Sequence, residues 1–396
     1  MKFRLAACQP IHCSRGAIAA LSALIVLAAP AAHAAPGGPK PPPSATSVTV
    51  FATGFNNPRG LKFGPGGDLY VAEGGTGGPL STAAKPTVPP TPELCPQVPV
   101  PIGPYTGSPV GSRISVVDKR GIRTTVIDNL PSSQTSEETG FLISGVGDIA
   151  FIDNTLYAVL AGAGCSHGLA DTSNGVIRVN HDGTWQLVAD LSAYQQANPV
   201  LNPEHGDFEP DGTWYSMLAV GKDLYAVEPN HGELVRITTK GKGGSQITRV
   251  IDISATEGHI VPTALAYYKG NFYVGNLGEF APGISGTSSI YKITPDGQIS
   301  VVATGFDLVL GLDFDNKGRM YVLEMAAGGQ LPAPDAGRIT RVDPSGARVV
   351  IAEGTDGLSL PTALIVGPDG DLFVSNLGFG PPPVGLGQIL RVHTKN

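Results

Sequence analysis

The sequence predicts an all-β chain folded as a six-bladed β-propeller, with four antiparallel strands per blade and the last blade closed by the N-terminal strand. Three observations predict it. A unit of two short strands joined by a tight turn recurs six times, a third strand follows every copy, and the sixth copy lacks the fourth strand that the others have. A strand of that missing type stands alone near the N-terminus.

The six copies are LKFGPGGDLYVAE (61–73), IAFIDNTLYAVL (149–160), MLAVGKDLYAVE (217–228), LAYYKGNFYVGN (265–276), LDFDNKGRMYVLE (312–324) and LIVGPDGDLFVSN (364–376). Gly, Asn and Asp at each centre supply the backbone freedom of a hairpin turn, and an aromatic residue marks each second strand. The third strands are SRISVVD, GVIRVN, ELVRIT, SIYKIT, GRITRVD and GQILRVH. Tyr225, Tyr273 and Tyr321 recur every 48 residues, the size of a four-stranded blade. Wider spacings from Tyr70 to Tyr157 and Tyr225 place insertions in the first two repeats. Pairing the orphan strand Val48–Gly54 with Gln388–His393 closes the ring and removes two unpaired sheet edges. A solenoid of the same period needs capping repeats, and none is visible.

Lys2, Arg4 and Arg15 precede or flank an apolar run of thirteen residues, Ala17–Ala29, which leads to small residues at Ala32–His33–Ala34. This is the pattern of a signal peptide over residues 1–34. The run is shorter than the ~20 residues that span a bilayer, so export to the periplasm or beyond is expected, without a membrane span. Residues 35–47 are too rich in Pro and Gly for regular structure and read as a linker, which leaves 48–396 as one propeller domain. Loss of three basic residues with the leader takes the formal net charge from −7 to −10. With no basic patch, nucleic acid is excluded as a partner. Cys8 and Cys13 go with the leader. Cys95 and Cys165 remain, in the second-to-third-strand loops of neighbouring blades, and are expected to form a disulfide in an oxidising compartment.

Turns between strands one and two, and three and four, are all tight and share one rim. The opposite rim carries 74–111, 131–144, 161–174, 190–213 and 277–287, and elaborated loops on a rigid scaffold are where binding is expected. The second strands end in one register at Glu73, Leu160, Glu228, Asn276, Glu324 and Asn376. Facing the channel mouth, Glu73, Glu228, Asn276, Glu324 and Asn376 form an oxygen set suited to calcium. Equally, they can cap turns and satisfy buried backbone groups. Leu160 breaks the ring. His167, His205, His231 and His259 fall on the same rim, with Glu204, Asp207 and Glu209 beside His205, and make His205, His231 and His259 secondary candidates as ligands or general bases. Gly164–Gly168 fits G-x-S-x-G, but a loop rather than a helix follows it. Asp313 to Glu324 approaches a calcium loop, except that Lys317 replaces a ligand and the segment is a hairpin turn.

Taken in order, NNPRGLKFGPGGDLYVAEGG, VGDIAFIDNTLYAVL, LYAVEPNHGELVRI, VPTALAYYKGNFYVGNLGEF and LPTALIVGPDGDLFVSNLGF give the chain a resemblance to the ScyD/ScyE family of exported proteins. Each segment alone also suits NHL-type or gluconolactonase-like propellers. The resemblance implies the propeller fold and export, and carries over no catalytic residue. Three functions fit these features. The first is a monomeric binding or accessory module that takes a small molecule or protein on its loop-rich face. The second is a metal-dependent, lactonase-like hydrolase or lyase with a cation in the central channel, and the third is a structural envelope protein.

Overall fold

A computed structural model describes residues 47–82, 95–98, 103–135, 141–203, 209–239, 244–278, 285–328, 333–379 and 385–394. The leader and nearly all of the linker lie outside these residues. The first strand, β1 (Ser47–Phe55), begins one residue before the predicted boundary of the domain.

Six antiparallel sheets follow one another along the chain. Blade 1 contains β2 (Pro58–Phe63), β3 (Leu69–Glu73), β4 (Tyr105–Val117) and β5 (Arg123–Thr135), with β6 (Phe141–Ser144) as a fifth strand. Blade 2 is β7 (Val146–Ile152), β8 (Thr155–Leu160), β9 (Gly175–Val179) and β10 (Trp185–Asp190). Blade 3 is β11 (Ser216–Val220), β12 (Asp223–Glu228), β13 (Glu233–Thr239) and β14 (Ser245–Asp252). Blade 4 is β15 (Pro262–Tyr268), β16 (Asn271–Asn276), β17 (Ser288–Ile293) and β18 (Ile299–Phe306). Blade 5 is β19 (Val309–Phe314), β20 (Met320–Glu324), β21 (Arg338–Val342) and β22 (Arg348–Glu353). Blade 6 joins β23 (Ala363–Val366), β24 (Leu372–Asn376) and β25 (Gly387–His393) to β1.

The closing pair has the register expected from sequence: Val48 faces Val392 and Thr53 faces Gln388. Packing closes the ring as well. Each adjacent pair of blades shares one apolar core, and the core between blades 6 and 1 holds Phe55, Leu61, Val71, Phe373 and Ile389. Burying a large aliphatic or aromatic side chain is worth ~1.5–3 kcal/mol, so this seam stabilises the ring by several such increments. The repeated aromatic of strand two explains itself at these seams. Tyr70 meets Phe151, Tyr273 meets Phe314 and Phe373 meets Phe63, each pair at 4.7–5.3 Å between ring centres and each reaching the first strand of the next blade.

Two segments expected as loops are partly regular. The blade 1 insertion extends β4 and β5 into a ribbon, with Tyr105 opposite Thr135 and Ser108 opposite Ser132. Ser132, Ser133 and Thr135 are buried on it, so the ribbon is held by packing and side-chain hydrogen bonds that a Gly/Ser/Pro-rich sequence does not announce. Within 190–213, α1 (Leu191–Ala197) starts at Asp190, whose side chain accepts the Ala193 N–H at 2.9 Å as an N-cap.

Candidate functional site

The strand-two ends do not pool their oxygens; each works inside its own blade, on the turn that leads into strand one. Glu73 accepts the Asn56 N–H at 2.6 Å, Glu228 the Thr213 N–H at 2.7 Å, Glu324 the Asp307 N–H at 3.0 Å and Asn376 the Ser359 N–H at 2.8 Å. Asn276 takes the same place with its donor side, giving its amide N–H to the Ile260 carbonyl at 2.8 Å. These lead-in turns contain left-handed residues, Asn57, Val261, Leu308 and Leu360 among them, and a β-branched Val at φ 54° needs such external support. Arg113 and Ser115 also hold Glu73, and Arg338 holds Glu324 in a two-pronged ion pair. Among the described residues no group of three or more His, Cys, Asp or Glu side chains is placed to hold a metal ion. The ring expected as a calcium site is, in its contacts, five copies of a backbone clamp. Leu160 omits the side-chain part, and in blade 2 the Ala161 N–H to Gly145 carbonyl bond ties the same two segments together.

One member of that set belongs to something larger. On the loop-rich rim between blades 2 and 3 the fold gathers Glu228 and His231 with His167 and Glu209, the first two on blade 3, the others from the 161–174 loop and the lead-in to β11. His231 gives its backbone N–H to Glu228 Oε2 at 2.5 Å and sets its Nδ1 3.2 Å from the same oxygen. Burial pushes the Glu228 carboxyl up, but the His231 ring and the Thr213 and His231 N–H groups outweigh it and hold it below its ordinary value. His259 stands close enough to feel both charges, and burial lowers its pKa. His205 lies outside the described residues.

Next to this pair, His167 is fully buried, stacked on the Tyr105 ring at 4.9 Å, with Nε2 4.0 Å from Glu209 Oε1. Neither ring nitrogen makes a well-formed hydrogen bond, although the Ala163 backbone favours the protonated ring. Burial lowers the His167 pKa to about 4, against the pull of Asp211. Burial likewise raises the Glu209 carboxyl to about 7, only partly offset by hydrogen bonds from Tyr105 and Thr213. Glu209 Oε2 accepts the Thr213 hydroxyl at 3.0 Å and the Asn230 amide, while Oε1 has no hydrogen-bond partner. Gln195 and Trp214, both buried, also leave their polar side-chain atoms without partners. They converge on Gly212, where an added Cβ would stand 2.2 Å from Gln195 Oε1 and 2.9 Å from Trp214 Nε1. Buried polar groups are seldom left unsatisfied, and the His167–Glu209 pair, 4.0 Å apart, marks a candidate site.

The surrounding loops are anchored. Asp211 Oδ2 accepts both the N–H and the hydroxyl of Ser166, at 2.7 and 2.6 Å, so the serine of the G-x-S-x-G match is tied to a carboxylate in a short 3-10 turn and presents no free nucleophile. Asn174 bridges Ala163 to the Gly212 carbonyl. The Cys95–Cys165 disulfide, with Cα atoms 5.6 Å apart, ties this loop to the blade 1 insertion as expected. It closes a span of 70 residues, worth at most ~4 kcal/mol in chain entropy.

Sequence reasoning named Glu228, His231 and His259 without joining them, and placed Glu209 only beside His205. Tyr105, Trp214 and Gln195 carried no signal. Three further charged residues, Lys62, Asp148 and Asp313, line the central channel. Their signal was present, since a charge inside a short apolar first strand is out of pattern.

No protein-family model matches the chain, and no curated protein is similar to it in sequence. Solved structures do match in fold. An oxidoreductase of Thermus thermophilus described as a glucose dehydrogenase superposes with a TM-score of 0.52 at 16% identity, covering 88% of this chain and all of its own. A second glucose dehydrogenase gives 0.51 at 12% identity with the same coverage. A gluconolactonase of Xanthomonas campestris reaches 0.48 at 10% identity, over 88% of this chain and 90% of its own. At these identities the likeness concerns the fold.

Proposed function

We propose that the chain is an exported binding module that holds a small polar molecule on the loop-rich rim between blades 2 and 3. The observation that carries this reading is the buried pair of His167 and Glu209, 4.0 Å apart, in which both His167 ring nitrogens and Glu209 Oε1 lack a well-formed partner. A solute offering both donors and acceptors would satisfy it. The leader-like N-terminus supports export, and the ordered set of matching segments supports kinship with the ScyD/ScyE family. N-terminal sequencing of the protein isolated from the cells that make it should begin at Ala35.

Native mass spectrometry of that material tests the binding reading. Wild-type protein should carry a small-molecule adduct that is absent from, or about tenfold depleted in, Glu209→Gln isolated in the same way. Bare protein in both, or equal loading, would overturn it.

A hydrolase is the second reading, for one reason. A carboxyl raised to about 7 beside a neutral imidazole 4.0 Å away is an acid–base pair suited to neutral pH. Lactone hydrolysis lost in both Glu209→Gln and His167→Gln, and indifferent to chelator, would favour it over binding alone. A metal-dependent version needs ligands beyond those the described residues bring together.

A further inference from the structure

The six first strands enclose a channel of about 230 Å³ whose charged lining residues are Lys62 on β2, Asp148 on β7 and Asp313 on β19. Near the loop-rich end it is crossed by Tyr215, whose hydroxyl donates to the Thr362 carbonyl at 2.9 Å and so reaches from blade 3 to blade 6. Arg59 from blade 1 is buried beside it and donates to the Gly378 and Ile143 carbonyls. At the other end the lining reaches Tyr267, which is 39% exposed. That end lies on the tight-turn rim, opposite the His167–Glu209 pair.

Both aspartates are fixed in place by backbone donors, one local and one from the next blade. Asp148 accepts the Ile149 N–H at 2.8 Å and the Met217 N–H at 2.9 Å. Asp313 accepts the Phe314 and Val366 N–H groups, both at 2.8 Å. A carboxylate has about four acceptor positions, so each keeps two for the channel. Of the charged lining residues, two are carboxylates and one is an ammonium, and the Arg59 guanidinium lies beyond them at the loop-rich end. Burial raises Asp148 to about 6 and Asp313 above its ordinary value, and Lys62 only partly offsets this in either.

We propose that the channel is a binding site for a small primary amine in its ammonium form, held against the Asp148 and Asp313 carboxylates. Three N–H donors on a single positive charge match the acceptor positions that the two carboxylates leave free. A divalent metal would want a converging set of anionic or imidazole ligands, which the described residues do not provide. The volume falls below the ~300–1,000 Å³ of pockets for drug-sized ligands, which limits the guest to a few heavy atoms.

Isotope-labelled mature protein titrated with ethanolamine hydrochloride tests this, with sodium chloride at equal ionic strength as the second arm. The Met217 and Val366 amides should shift saturably with the amine and not with sodium. Affinity should fall about tenfold in Asp148→Asn or Asp313→Asn and rise in Lys62→Met. No saturable shift with ethanolamine, the same shift with sodium alone, or full affinity in both Asn variants would overturn the proposal. Should the Asn variants fail to fold, the wild-type comparison of ethanolamine with sodium decides by itself.

Discussion

At the scale of single residues, the same side chain means different things according to what it satisfies. Glu324 satisfies a buried backbone N–H and an arginine charge at once, so Glu324→Ala should destabilise the protein by about 2–4 kcal/mol, measured by denaturant unfolding. Calcium or chelator should leave the wild-type midpoint where it is. Glu209 works in the opposite sense. Its folded pKa of about 7 lies above the ordinary 4.5, so the folded state binds the extra proton and stability falls as pH rises between these values. His167, lowered from 6.5 to about 4, adds a loss of stability as pH falls through that window. Glu209→Gln should therefore be more stable than wild type at pH 8, by about 1–3 kcal/mol, with the difference shrinking toward pH 5 in parallel denaturant titrations. The register of the strand-two ends was legible in the sequence; their direction was not. Whether a carboxylate at a strand end faces an axis or its own lead-in turn depends on left-handed residues such as Leu308 and Leu360, which have no sequence signature.

At the scale of elements, the hairpins were legible because turn chemistry, strand alternation and a repeated aromatic agreed in each copy. The ribbon of β4 and β5 was not, because Gly107, Pro109, Gly111 and Pro131 are loop formers by intrinsic preference and were overridden by pairing between the two strands. Helix α1 did have a signal, the Asp190 cap before Leu191, that a loop assignment passed over. The disulfide links this ribbon region to the 161–174 loop, so Cys165→Ser should release the loop before it unfolds the blades. Hydrogen exchange should speed up at the Ser166, His167 and Leu169 amides while those of β8 and β9 keep their protection; uniform loss of protection would mean that the crosslink supports the whole blade.

For the molecule as a whole, closure and the division of labour between rims follow from the repeat. Deleting residues 35–55 removes Phe55 and Ala52 from the seam core and bares the edge of β25. The truncated protein should melt about 10 °C lower or self-associate, and full-length melting behaviour in a monomer would show that the ring does not need its N-terminal strand. One rim is built from tight hairpins, and the other gathers the insertions of blades 1 and 2 and the lead-in to blade 3 around a buried carboxyl and imidazole. That gathering is what the proposed function rests on, and the protonation of Glu209 reports it. Carbon-13 NMR of glutamate-labelled protein, with the Glu209 signal assigned by its absence from Glu209→Gln, should give a midpoint of about 7. A midpoint at the ordinary 4.5 would mean that water already solvates this carboxylate, and that the loop-rich rim holds no unsatisfied site for a ligand to fill.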